Sequence, residues 1–131
     1  MTAPLNQEMV NDAAKLIMHR LVVRELVRDS SVLDRAKNQL ARMAERYPEQ
    51  PWVGEWAEIL RWPIVRIAAF LASRDERAVR LRLSSPFTVG GPVDFKNEAT
   101  RRRIWRAAKR IAYRRQPAAA EVDGRRTLVT A

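Results

Sequence analysis

The chain lacks cysteine altogether and has a single histidine, His19. Without cysteine there can be no disulfide scaffold, no thiolate metal site and no cysteine nucleophile. One histidine excludes a metal centre built from several imidazoles and leaves at most one ring for acid–base chemistry. No serine or cysteine lies within one turn of His19. We therefore expect a partly exposed surface histidine, a protein that is not an enzyme, and no cofactor.

Long apolar stretches are also missing. The longest charge-free apolar run near the middle of the chain covers residues 67–72, whereas a membrane-spanning helix needs about 20 such residues. Residues 1–9 show neither the basic start nor the apolar centre of a secretory signal. These absences predict a cytoplasmic protein with no membrane partner, and the lack of cysteine fits a reducing compartment.

The apolar residues that are present fit one helical domain. The chain has 131 residues, of which 47% are hydrophobic, which is enough for a single core. We find no alternating strand pattern and no internal repeat. The sequence therefore predicts an all-α fold, a compact bundle of five or six helices formed by residues 1–116. Residues 117–131 are unperiodic and predict a flexible C-terminal tail.

Helix boundaries follow from apolar spacing, from proline and from capping residues. Ser31 is the predicted N-cap of the second helix, and Ser73 with Glu76 forms the pattern of a capping box. The pair Gly90 and Gly91 lacks the lysine and hydroxyl residue of a phosphate loop and predicts a turn. The predicted helices cover residues 5–28, 32–47, 51–60, 63–71, 74–83 and 95–116.

Positive charge is concentrated in one segment. The whole chain has 25 basic and 15 acidic residues, but residues 96–115 alone contain nine basic residues and one acidic residue. The rest of the chain is nearly neutral. A single segment therefore accounts for most of the excess, which indicates an anionic partner for that segment.

A helical projection of this segment separates its two faces. Small apolar residues share one arc, and Tyr113 lies among the basic residues on the other. Three interpretations stay open: contact with nucleic acid, contact with an acidic protein surface, or a plain solvated face. Arginine suits phosphate because its planar group offers two parallel donors, and a tyrosine can stack on an unpaired base. The predicted nucleic-acid-binding residues are Arg102, Arg103, Arg106, Lys109, Arg110, Tyr113 and Arg114.

Three tryptophans, Trp52, Trp56 and Trp62, lie within eleven residues of sequence. Core packing is the favoured interpretation. The alternative is a partner-binding pocket, because tryptophan is enriched where binding energy is concentrated. In that alternative Phe87 joins the three tryptophans as a partner-binding residue.

Two short segments carry a resemblance. Leu81 to Phe87 reads LRLSSPF, and Arg103 to Arg106 reads RIWR. Together they resemble a pattern in small bacterial proteins, some of which look like the non-catalytic members of toxin–antitoxin gene pairs. The resemblance implies a regulatory protein with a protein partner such as a toxin, and it assigns no catalytic residue. From the chemistry of the segment we expect Ser84, Ser85 and Pro86 to end a helix.

The predicted function is accordingly a non-enzymatic regulatory binding protein of antitoxin or mobile-element type. Its body would hold a protein partner or a second copy of the chain, and its basic C-terminal helix would contact nucleic acid. The alternative is a protein-directed inhibitor or scaffold that uses the tryptophans and does not bind nucleic acid.

Overall fold

All regular structure in residues 6–115, the part of the chain described by this computed structural model, is helical. This confirms the predicted all-α class; the tail predicted for residues 117–131 lies outside the described residues. A 3₁₀ turn, Arg82–Ser84, directly follows the fifth helix. The six helices are α1 (Gln7–Arg28), α2 (Ser31–Arg46), α3 (Pro51–Ile59), α4 (Ile64–Leu71), α5 (Glu76–Leu81) and α6 (Glu98–Arg115).

Two of the predicted capping residues do not cap their helices in the expected way. Ser31 is the first residue of α2 and not its cap; the Asp29 carboxylate accepts the Ser31 backbone N–H at 2.9 Å. The Ser73 hydroxyl accepts the backbone N–H of Asp75 at 3.0 Å, two residues ahead instead of three. Ser73 therefore shapes the turn before α5, and the helix starts at Glu76 and not at residue 74.

Helix α1 lies at the centre of the bundle. It contacts α2, α4, the 3₁₀ turn and, most extensively, α6. Its C-terminal half joins a large core cluster that contains Trp56 and Phe87. Its N-terminal half packs on α6 through small side chains, including Ala13 and Ala14. Because α1 has neighbours on several sides, its buried residues do not form a single stripe.

His19 is buried inside this bundle, so the expectation of a partly exposed histidine is wrong. Its exposure is 0%, and its Nδ1 lies 2.6 Å from the Lys15 carbonyl oxygen. The ring therefore donates from Nδ1, while Nε2 has no hydrogen-bond partner among the described residues. Burial lowers the pKa of His19 to about 4, and repulsion from Arg82 and Lys15 adds to this effect. The imidazole is neutral at pH 7.

The segment Leu81–Phe87 packs against Trp56 in the core. The Trp56 indole N–H donates to the Leu81 carbonyl oxygen and the Ser84 hydroxyl, both at 3.2 Å. The Ser85 hydroxyl accepts the Phe87 backbone N–H at 3.1 Å. This turn delivers Phe87 into the core, where its ring lies 6.1 Å from the Trp56 ring. The segment ends the helix as predicted.

The turn after Phe87 depends on two glycines: Gly90 has a φ of +66°, a conformation that favours glycine, and Gly91 lies against the backbone. A Cβ placed on Gly91 would lie 2.2 Å from the Phe87 backbone oxygen, so the backbone would have to move. We expect Gly91→Ala to lower the free energy of unfolding by roughly 2 kcal/mol, the usual cost of overpacking. Urea denaturation followed by circular dichroism measures this value.

Gly54 provides the matched control. It lies in α3, and a Cβ added there meets nothing within 4 Å. Gly54→Ala should therefore be neutral or stabilising by up to about 1 kcal/mol, because alanine favours a helix interior. Equal effects of the two substitutions would contradict the packing argument for Gly91.

Candidate nucleic-acid interface

Helix α6 is anchored along one side only. Ile104, Ala108 and Ala112 recur every four residues and are buried against α1. Trp105 and Ile111 flank them and are half-buried. This spacing fixes the rotation of the helix, so the side of α6 opposite Ile104, Ala108 and Ala112 faces solvent.

The solvent side of α6 contains all the residues predicted to bind nucleic acid. Tyr113 is 61% exposed, and the side chain of Arg102 is 65% exposed. From residue 102 to residue 114 the helix rises about 18 Å. We call this surface the basic face; it consists of Arg102, Arg103, Arg106, Lys109, Arg110, Tyr113 and Arg114, all of them exposed.

Acidic groups in the described part of the chain leave most of the basic face unneutralised. Within residues 6–115, Arg102 pairs with Glu98 one turn away. The other cations of the face, at positions 103, 106, 109, 110 and 114, form no ion pair in that part of the chain. Like charges spaced by three or four residues repel each other. An external anion that bound here would relieve this repulsion.

The carboxylates that might have neutralised α6 are used elsewhere or lie apart from it. Glu55 accepts two hydrogen bonds from Arg80, each 2.9 Å long, and lies 3.8 Å from Arg77. Glu58 pairs with Arg61 at 2.6 Å. Glu55 and Glu58 therefore pair with arginines outside α6.

Two residues that the sequence did not assign extend the basic face. Arg101 and Trp105 line an open depression of about 410 Å³ together with Arg102, Arg106, Lys109 and the single carboxylate of Glu98. A helical projection places Arg101 near the apolar side and Trp105 at its edge. A projection carries no information about where along α6 the neighbouring helix ends, and therefore it could not show that Arg101 is exposed.

Of the four residues predicted to bind a partner, two are buried and two, Trp52 and Trp62, are half-buried, so for Trp52 and Trp62 the role stays a prediction. Trp56 is fully buried and Phe87 is 1% exposed, so the partner-binding role is wrong for both, and core packing is confirmed for Trp56. Trp52 is half-buried against the Tyr47 ring at 5.9 Å. Trp62 is half-buried, with its ring 5.6 Å from the Phe70 ring. Arg66 also contacts this ring: its guanidinium carbon lies 4.0 Å from the Trp62 ring centre.

Other kinds of site and outside comparisons add no competing assignment. Within residues 6–115 no group of three or more histidine or acidic side chains could hold a metal ion. In the same range no helix has both the length and the apolar character needed to cross a membrane. No protein-family model, curated protein or solved structure matches this chain. The exposed surface of α6 is therefore the feature of the described chain that indicates a function.

Proposed function

We propose that the protein is a non-enzymatic binding protein that contacts the phosphate backbone of nucleic acid through the basic face of α6. The observation that carries the proposal is a row of five exposed cations, at positions 103, 106, 109, 110 and 114, with no carboxylate partner in the described chain. A surface of this kind binds a polyanion because each contact releases condensed counterions from the nucleic acid.

The length of the basic face suits a duplex. Its rise of about 18 Å equals the axial rise of about five phosphates of one strand, at about 3.4 Å each. Arginine dominates the face, and its planar group donates two parallel hydrogen bonds to phosphate. Phosphate contacts fix position and do not read sequence. We therefore expect binding that depends weakly on base sequence.

A plain solvated face is the weaker interpretation. Some arginines elsewhere in the bundle are placed against carboxylates or rings, as Arg80 is against Glu55 and Arg66 against Trp62. Others, such as Arg24 and Arg28 on α1, are exposed and form no ion pair within residues 6–115, but α1 has only three such residues, against five on the basic face. The basic face concentrates charge of one sign without such partners. The protein-directed alternative loses its main support because Trp56 and Phe87 are inaccessible.

The regulatory role of antitoxin or mobile-element type, with a toxin-like partner or a second copy of the chain, stays a prediction from the resemblance. Part of that resemblance, the segment Leu81–Phe87, is accounted for here by the packing of Trp56 and Phe87. The proposal of nucleic-acid contact does not depend on this role.

Salt dependence tests the proposal directly. If about five phosphates are contacted, the logarithm of the affinity should fall with the logarithm of salt concentration with a slope near −4.5. That slope corresponds to a loss of roughly 500-fold between about 50 and about 200 mM salt. Fluorescence anisotropy with a labelled 20-base-pair duplex measures it.

A second duplex of scrambled sequence serves as the control and should give the same slope. An affinity that does not change with salt would reject phosphate contact. Purification with and without nuclease, followed by the ratio of absorbance at 260 and 280 nm, shows whether the protein binds nucleic acid in the cell.

A further inference from the structure

A small cavity lies away from the basic face, where α1, α5, the 3₁₀ turn and the C-terminal end of α6 meet. Its volume is about 170 Å³, the share of liquid occupied by roughly six waters. Part of its wall is apolar and includes Leu16, Val79 and Ile111. The charged part of the wall consists of Arg74, Arg82, Arg115 and Asp12.

Arg82 is the unusual member of this wall. It is a charged residue with 3% exposure. Its Nη1 donates to the carbonyl oxygens of Leu71, at 3.2 Å, and Ser73, at 2.5 Å, at the C-terminal end of α4. Its Nε is buried and has no hydrogen-bond partner among the described residues. A buried guanidinium charge is costly unless a nearby anion neutralises it.

The charged residues around Arg82 do not neutralise its guanidinium. Arg82 forms no ion pair within residues 6–115, and neither do Arg74, Arg115 and Asp12. Burial, followed by repulsion from Arg74 and Arg20, lowers the pKa of Arg115. Three arginines face one carboxylate, so the wall has two positive charges in excess.

We propose that this cavity is a binding site for a phosphate group, held by Arg74, Arg82 and Arg115. A phosphate dianion matches the excess charge of the wall, whereas a carboxylate supplies only half of it. Arginine forks bind phosphate with paired, charge-assisted hydrogen bonds. The apolar wall fits the carbon atoms of a phosphate ester. The phosphate belongs either to a small phosphomonoester or to the terminal phosphate of a nucleic acid.

Isothermal titration calorimetry of the full chain with inorganic phosphate, at constant ionic strength, tests the site. We expect saturable binding, weakened about 10-fold or more by Arg74→Gln and by Arg115→Gln, because each removes a charged donor. Both residues are exposed, so these variants should fold. Asp12→Asn should tighten binding severalfold because it removes the one negative charge.

Three controls separate this site from the basic face. Arg103→Gln should leave phosphate affinity unchanged, and acetate should bind far more weakly than phosphate. In nuclear magnetic resonance spectra, adding phosphate should shift the backbone amide signals of Val79 and Ala112 and not those of the basic face. Absence of saturable binding, retention of full affinity in Arg74→Gln, or shifts confined to the basic face would each overturn the proposal.

Oligonucleotides with and without a 5′-phosphate identify the source of the phosphate. A preference for the 5′-phosphorylated strand that is lost in Arg74→Gln assigns the site to a nucleic-acid end. Equal affinity for both strands, together with binding of inorganic phosphate, assigns it to a small phosphomonoester. Because inorganic phosphate is the first probe, this site can fail or succeed independently of duplex binding by the basic face.

Discussion

Replacing Arg102, Arg106 and Arg110 together with glutamate should abolish binding to the labelled duplex, with an affinity loss on the order of 1,000-fold or more. The three residues lie one turn apart on the exposed side of α6. The change removes three phosphate contacts and places three negative charges beside the duplex, so attraction becomes repulsion. Fluorescence anisotropy at about 0.15 M salt, where distant charges are screened, measures the loss.

The fold should survive this triple substitution. None of the three side chains belongs to the buried side of α6, which consists of Ile104, Ala108 and Ala112. Exposed substitutions away from packing features usually change stability by about 0.5 kcal/mol or less. The far-ultraviolet circular dichroism spectrum should therefore match that of the unmodified protein.

The matched control is Arg24→Glu with Arg28→Glu and Arg35→Glu. These arginines are exposed on α1 and α2, and the control lowers the net charge from +10 by the same amount. It should retain most of the duplex affinity, because close contacts and not distant charge dominate at physiological screening. A control as defective as the triple variant of α6 would show that net charge alone governs binding and would remove the basic face as the interface.

The sequence predicted α6 well because this helix has one neighbour along most of its length. Ile104, Ala108 and Ala112 face α1, so a projection with one apolar arc describes it correctly. A helical projection describes α1 less well, because α1 is surrounded by several helices. There a single arc does not exist: Val10 and His19 point to opposite sides of the helix, and both are buried.

Long-range hydrogen bonds set the second limit of sequence prediction. The Trp56 indole finds its partners at Leu81 and Ser84, and Arg82 finds carbonyl oxygens at Leu71 and Ser73. No local pattern shows such pairs. An arginine between two leucines looks like an exposed residue, and only the folded chain shows that Arg82 is inside.

Acid should destabilise the protein through His19, well above the pH at which most carboxylates protonate. In the folded state the pKa of His19 is lowered to about 4 from an ordinary value of 6.5. At pH values between these two pKa values, His19 binds a proton in the unfolded chain but not in the folded chain. Unfolding is therefore favoured as pH falls from about 6.5 to about 4, and the stability lost is roughly 3 kcal/mol. Above pH 6.5 this effect is absent.

The surroundings of the His19 ring explain why the folded protein does not bind this proton. A protonated His19 would place an N–H at Nε2, a buried atom without an acceptor among the described residues, and would put a positive charge near Arg82. His19→Leu removes the titrating group at similar volume. The difference in unfolding free energy between the unmodified protein and this variant cancels the carboxylates common to both. It should change by roughly 3 kcal/mol between about pH 7.5 and about pH 4.

Because the chain has one histidine, its imidazole proton signals in a nuclear magnetic resonance titration of tag-free protein are unambiguous. The folded protein should show a midpoint near pH 4, and urea-unfolded protein a midpoint near 6.5. A folded-state midpoint near 6.5 would mean that solvent reaches the ring and that the bundle opens around α1. In that case the difference between the unmodified protein and His19→Leu would not vary with pH, so the two measurements check each other.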